Sequence, residues 1–494
     1  MEFRLHIFDS MVDFPYVGGS SMKDGKLCFA VIVGTRGFFN TDLAVNGKKN
    51  ILRILESMGF ATCIMPEDST PTGCVETTED GIACANHFVK HANEIDGIIV
   101  TLPNFGLELG IVAAINESKL AVPVLLHAED DDLDKVDVAH RRDAFCGKLS
   151  VANNFVQYGI PFTNTTLHTC SVESEIFKLD VLKFAGVCRV VNGLKKARIG
   201  AIGARPADFQ TMRVSEKLMQ RSGVTVVTVD HSEILFDALR LTDDDPKVVA
   251  KLAEIRAYGT IPSSVPDKNI VKQAKYSVVV EQWISDNRID AAAIQCWTSI
   301  QKNYGCATCL TMSMLGESKV PCACEVDVAG ALSMLALTLA SDNSSALLDW
   351  NNNYGNDRNK CINTHCSNYP KSFFGTDEIE ISELDVLGTT LGKDNCFGAV
   401  KGKVRKGPMT YLRLSTDDFS GQIRAYLGEG DFTDDPCAMS GGVAVCSIDN
   451  LQSLMSHIVT KGYEHHVAMV RSHVADILEE ALCKYFGWNV YRHR

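Results

Sequence analysis

The chain has 494 residues, 46% of them hydrophobic and 22% charged, the composition of a folded protein rather than a disordered one. At roughly 150 residues per domain this length implies about three domains. Sixty-one acidic against 48 basic side chains give a formal charge of −13, a field that repels nucleic acid and anionic membranes and leaves a small molecule as the expected partner.

Residues 1–19 show no basic stretch leading into an apolar run, so no secretory leader is expected. The longest apolar stretch, 328–340, is broken by Gly330 and Ser333 and falls far short of the roughly 18 residues of a membrane span. Eighteen cysteines without a leader predict reduced thiols and a cytoplasmic location.

In chain order, KLCFAVIVG, ATCIMPED, DGIIVTLP and VPVLLHAE are apolar strands separated by helical spacing in GKKNILRILESMGF, DGIACANHFVKHANEI and ELGIVAAINES. Continuous apolar strands between amphipathic helices predict a parallel sheet covered on both faces. We place this α/β domain at 1–172. A second alternation spans 173–353: strands ARIGAIG, VTVVTVD, DAAAIQCW and VPCACEVD, with helices over 210–223, 244–258, 267–287 and the VAGALSMLALTLA run. SSALLDWNN reads as its last strand. Over 354–494 the segments shorten and become Gly-bounded, which predicts a β-rich, barrel-like domain closed by one helix over 467–485. The expected fold is two stacked flavodoxin-like or Rossmann-like parallel-sheet domains followed by that β-rich domain.

In open α/β sheets ligands collect beyond the carboxyl ends of the strands, so polar residues that end apolar runs are the candidates. Glu325 ends VPCAC and Asp349 ends SSALL; His365 lies in CINTHC, and His465–His466 precede the last expected helix. Carboxylates and imidazoles converging from strand ends suit a divalent metal such as Mn²⁺. Pattern alone equally allows capping roles for Glu325 and Asp349 and a solvated helix start for the His pair, and it favours a hydrogen-bonded, half-buried role for His365. Trp297 has the shape to stack on a sugar face or to fill a core. Cys306, Cys309, Cys322 and Cys324 have zinc-like spacing, but they also fit one face of a helix and one of a buried strand, which we favour.

CACEVDVAGALSML followed by LLDW resembles the metal-binding half of the L-fucose isomerase family. EHHVAMVRSHVADILEEAL resembles the C-terminal histidine segment of that family and of L-arabinose isomerases. IGARPADFQTM and NTHCSNYP are similar to segments of the shorter, fucose-isomerase-like branch. The resemblance runs the length of the chain in domain order, with its specific motifs between 295 and 476. It implies Glu325, Asp349 and His466 as metal ligands, with His365 matching a histidine ligand of the arabinose branch. Gln295 matches a substrate-contacting glutamine and Arg36 an N-terminal arginine. His465 stands where fucose enzymes carry asparagine, and would line the sugar site.

The family also implies an aldose–ketose isomerase whose Glu325 and Asp349 move a proton between C1 and C2 through an enediolate. Its cofactor would be Mn²⁺, or another divalent cation such as Co²⁺ or Mg²⁺. It implies a homo-oligomer, often a hexamer, in which a neighbour's N-terminal domain helps close the pocket. The alternatives are an arabinose-type isomerase and a non-catalytic sugar-binding or regulatory protein on the same scaffold.

Overall fold

The structure, a computed structural model, describes residues 26–375 and 379–494. The segment without an expected leader, 1–19, lies outside the described residues. Among the described residues, β1 (Cys28–Val33), β2 (Ala61–Ile64), β3 (Gly97–Leu102), β4 (Val124–Ala128) and β5 (Thr163–Asn164) form a parallel sheet in the order β2-β1-β3-β4-β5. This is the flavodoxin-like order. β3 and β4 are buried along their whole length, and helices cover both faces, which is why these strands read as unbroken apolar runs.

A second parallel sheet joins β6 (Arg198–Ile202), β7 (Thr225–Val229), β8 (Ala291–Ile294) and β9 (Cys322–Ala323) in the order β7-β6-β8-β9. The helix Val328–Ser341 leaves the end of β9. It packs on this sheet, on the helix Glu175–Leu194 and on the third sheet. Burial on every side explains why its sequence is apolar all round rather than striped.

The third sheet is mixed. It contains β10 (Ser345–Tyr354), β11 (Asp357–His365), β12 (Glu380–Glu383), β13 (Phe397–Lys403), β14 (Gly407–Asp417), β15 (Gln422–Phe432), β16 (Gly442–Ser447), β17 (His466–Val470) and β18 (Asn489–Arg492). Their order is β12-β13-β16-β11-β10-β17-β14-β15-β18. The barrel expectation is corrected: the sheet is not closed as a barrel. β15 curls back to meet β16 only at Asp431↔Ser447 and Phe432↔Cys446, and the sheet continues past that seam through β12, β13 and β18.

Two element readings change. The strand carrying Asp349 does not extend the second sheet; β10 turns at Gly355, whose φ is +52°, into an antiparallel hairpin with β11. The helix expected over 467–485 starts as strand β17, fully buried between β10 and β14, and turns helical only from Ala475. Two flanking strands satisfy the backbone of HVAMV there, and its Val residues favour the pleated geometry.

Candidate active site

Two sheets deliver the candidate residues to one place. Glu325 lies just past β9, at the carboxyl edge of the second sheet, where Glu325 and Val326 have φ of 55° and 56°. Left-handed backbone at a β-branched residue costs on the order of 1–3 kcal/mol and collects at functional turns. Asp349 sits in mid-strand on β10, directly opposite His466 of β17 on one side and Thr364 of β11 on the other. Antiparallel register sets Asp349 beside His466, and His365, the residue after Thr364 at the end of β11, reaches the same place.

Glu325 Oε2 lies 3.7 Å from His466 Nε2 and 3.4 Å from His365 Nε2. Asp349 Oδ1 lies 3.4 Å from His466 Nε2 and 3.2 Å from His365 Nδ1. These separations lack hydrogen-bond angles. Glu325 Oε2, Asp349 Oδ1 and both nitrogens of His365 are buried with no hydrogen-bond partner. Unpaired buried polar atoms cost about 1–3 kcal/mol each, so four at one point make this a candidate ligand position.

Burial pushes the Glu325 carboxyl up, but His365, His466 and the Trp297 N–H more than reverse this and hold it at about 2. Burial likewise opposes ionisation of Asp349, and the same imidazoles with His465 bring its pKa below the ordinary carboxylate value. Both carboxylates are therefore anionic acceptors. Burial would depress His365, yet Asp349, Cys366 and Glu325 hold it well above the usual imidazole value. The cluster attracts positive charge.

His466 is oriented from behind. Its Nδ1 lies 2.8 Å from Asp327 Oδ2, and an acceptor-only carboxylate requires the proton on Nδ1, which leaves the Nε2 lone pair facing Glu325 and Asp349. Asp327 in turn takes a bidentate pair from Arg413 and caps the helix Val328–Ser341 by accepting from Gly330 N–H at 2.8 Å. Arg413 Nε donates to Glu464. Ligands about 2.1 Å from a common ion stand about 3–3.5 Å apart, close to the 3.4 Å from His466 Nε2 to Asp349 Oδ1 and the 3.7 Å from it to Glu325 Oε2. This donor set of two ionised carboxylates and a preset imidazole fits a divalent cation. His365 plays a different part, its ring spanning the two carboxylates with one nitrogen toward each.

The other candidates divide. Trp297 Nε1–H donates to Glu325 Oε1 at 3.0 Å, so this ring borders the cluster. His465 is 41% exposed, with Nε2 3.9 Å from Asp349 Oδ1. Gln295 turns to the loop after β6, where its Oε1 accepts from Ala204 N–H. Arg36 stands apart, at the carboxyl edge of the first sheet, with its guanidinium 4.4 Å from the Phe38 ring and 4.5 Å from that of Phe105. Sequence reasoning missed Phe209, whose ring meets Trp297, His465 and His466 edge-on. It also missed Arg413, although an arginine among apolar residues in TYLRLST is itself a sign of a buried charge partner.

A cavity of about 520 Å³ opens on the cluster, lined among others by Trp297, Asp349, His365, Cys366, Leu384 and Lys401. That is within the range of small-molecule sites. Among the described residues no helix is long and apolar enough to cross a membrane.

Comparison with known proteins adds the lineage. Residues 30–195 match the family model for the fucose/sulfoquinovose isomerase N-terminal domain, and residues 363–494 match that for the L-fucose isomerase C-terminal domain. His365 and His466 fall in the second match, while Glu325 and Asp349 lie between the two. The sulfoquinovose isomerase of Priestia aryabhattai is 26% identical over 307 residues, 61% of this chain and 65% of that one. That of Alkalicoccus urumqiensis is 25% identical over 302 residues, 60% and 64%. The chain thus spans slightly less than two thirds of the length of these relatives. A periplasmic solute-binding protein from Actinobacillus succinogenes 130z with bound D-allose aligns at 10% identity and a TM-score of 0.16, over 64% of this chain and 93% of that one, too weakly to support an argument. Two family domains matched in their native order, around a site built from the motifs that suggested the resemblance, show that this chain belongs to the fucose isomerase family.

Proposed function

We propose that this chain is a metal-dependent aldose–ketose isomerase acting on a sugar of the fucose or sulfoquinovose class. The observation that carries the reading is the pair of buried, ionised carboxylates whose Glu325 Oε2 and Asp349 Oδ1 lack hydrogen-bond donors, Asp349 lining a sugar-sized cavity. A protein that only binds sugar needs stacking rings and hydrogen bonds, not two such carboxylates. The names of the relatives supply the substrate class.

Glu325, Asp349 and His466, with His365 beside them, would hold Mn²⁺, Co²⁺ or Mg²⁺, which supplies Lewis-acid stabilisation of negative charge developing on the substrate oxygens. The remaining work falls to side chains. The hydrogen of a sugar C2 is a feeble acid, so a carboxylate must stand within reach of it and a second acid must serve C1. Glu325 and Asp349 fill these roles and exchange them with direction, through an enediolate. The Trp297 N–H holds Glu325 Oε1 and so fixes the orientation of this carboxylate. His365, 3.4 Å from one carboxylate and 3.2 Å from the other, offers a route for sharing the proton. Trp297 and Phe209 flank the cluster and limit the access of water.

His365 favours a second reading, an arabinose-type isomerase acting on a pentose. From the resemblance we also infer a homo-oligomer, a hexamer, with a neighbour's N-terminal domain, and so Arg36, completing the pocket. The eighteen free thiols fit a reducing cytoplasm.

An aldose panel assayed for ketose with added Mn²⁺ tests the activity, and turnover of no aldose would refute it. Glu325→Gln and His466→Ala should each lose Mn²⁺ on dialysis; stoichiometric retention in both would move the site elsewhere. Asp349→Asn should lower kcat by about 10²- to 10⁴-fold even at saturating Mn²⁺.

A further inference from the structure

Beside the carboxylate–imidazole cluster lies a second cluster, built of sulfur. Cys296, Cys324 and Cys366 bring their Sγ atoms within 4.8 Å of one another. Each is the sequence neighbour of a candidate at the first site: Cys296 adjoins Gln295 and Trp297, Cys324 adjoins Glu325, and Cys366 adjoins His365. Two of these segments, those of Glu325 and His365, therefore serve both clusters, and the third carries Trp297, which borders the first. Cys296 and Cys324 are buried, whereas Cys366 is half-buried and lines the cavity. Cys324 Sγ is 3.9 Å from the thioether of Met312, and Cys366 Sγ is 3.7 Å from Glu325 Oε1.

A buried cysteine taken singly is a small apolar side chain. Three free thiols converging from separate segments, with a thioether behind and a carboxylate oxygen at the rim, are a soft donor set. Metal–thiolate bonds near 2.3 Å put sulfurs about 4 Å apart, so small side-chain rotations close the triad around an ion. This is not the grouping that zinc-like spacing suggested: Cys324 joins two cysteines distant in sequence rather than Cys306, Cys309 and Cys322.

The geometry points to a second metal site, in which Cys296, Cys324 and Cys366 bind a soft, thiophilic cation as thiolates. Cys366 is the way in from the cavity. The three thiol protons pass to solvent as a divalent ion binds. Glu325 faces the thiols through Oε1 and the imidazoles through Oε2, so the two sites share one carboxylate. The assignment stands independently of the sugar reading.

Cd²⁺ is the probe, added at one equivalent to the reduced full-length protein in excess Mn²⁺. X-ray absorption at the cadmium edge should show three sulfur neighbours. A thiolate-to-cadmium ultraviolet band should saturate at one ion per chain. Cys366→Ala should leave two sulfurs and weaken Cd²⁺ binding at least about tenfold, since even loss of an outer-shell partner costs that much. Cys324→Ser should behave alike; if it fails to fold, the wild-type sulfur count and Cys366→Ala decide the matter. A shell of nitrogen and oxygen alone overturns the assignment. So does a band unchanged in Cys366→Ala, which would arise from other thiols such as exposed Cys146 and Cys483.

Discussion

Arg413 is the largest fully buried side chain of the described residues, and its charge is matched by Asp327 and Glu464. Burial opposes ionisation of Asp327, and Arg413 with His466 more than offsets it, holding the carboxyl well below its ordinary range. Removing one partner of such a pair strands the others in a dry interior, which costs about 3–5 kcal/mol. Arg413→Met should therefore lower unfolding free energy by about that much in urea titration. It should also loosen His466, because Asp327 then has only the helix cap and the imidazole to orient it.

His127 gives a second prediction at this scale, far from the candidate metal ligands. Burial lowers its pKa from 6.5 to about 4, against a smaller upward pull from the Cys170 carbonyl, which accepts from Nε2 at 2.7 Å. Below pH 6.5 the unfolded chain takes up a proton that the folded chain refuses until about pH 4. Stability is thus fully present above about 6.5 and is lost as pH falls through this window, with a slope of up to about 1.4 kcal/mol per pH unit from this group. In His127→Gln the dependence between pH 4 and 6.5 should be shallower by that slope, measured by urea unfolding at several pH values.

Among elements, the helices Thr78–Lys90 and Glu108–Ser118 touch through glycine. A Cβ on Gly81 would stand 2.1 Å from the Gly110 carbonyl oxygen. Helix propensity favours alanine there by about 1 kcal/mol. A backbone atom cannot yield as a side chain can, so overpacking of about 1–3 kcal/mol should win. Gly81→Ala should shift the urea midpoint downward; an upward shift would mean the helices separate at no cost. The same competition between local preference and packing explains the misread last helix. After His466 the run VAMV has no polar residue to break helical spacing, and only its place between β10 and β14 makes it a strand.

For the whole molecule, the helix Val328–Ser341 is the shared core of the second and third sheets, and it carries Asp327 at its N-terminus and Glu325 just before it. The surface leaves Phe38 75% exposed beside Arg36, on the first domain. Light scattering should find a homo-oligomer, expected to be a hexamer; an active monomer at assay concentration would refute the shared pocket.

The sequence by itself determined the two parallel-sheet domains, because strands buried on both faces must be continuously apolar and their helices must be striped. It also marked Glu325, Asp349, His365 and His466, as polar residues interrupting apolar runs and as parts of family-like motifs. What only the tertiary structure decided was how these residues meet. Asp349 faces His466 through antiparallel register between strands more than a hundred residues apart in sequence, a pairing no local pattern encodes. The Arg413–Asp327–His466 chain, Phe209 and the sulfur triad join different sheets and loops. Their contacts follow from the packing of layers, which side-chain periodicity along a single segment does not record.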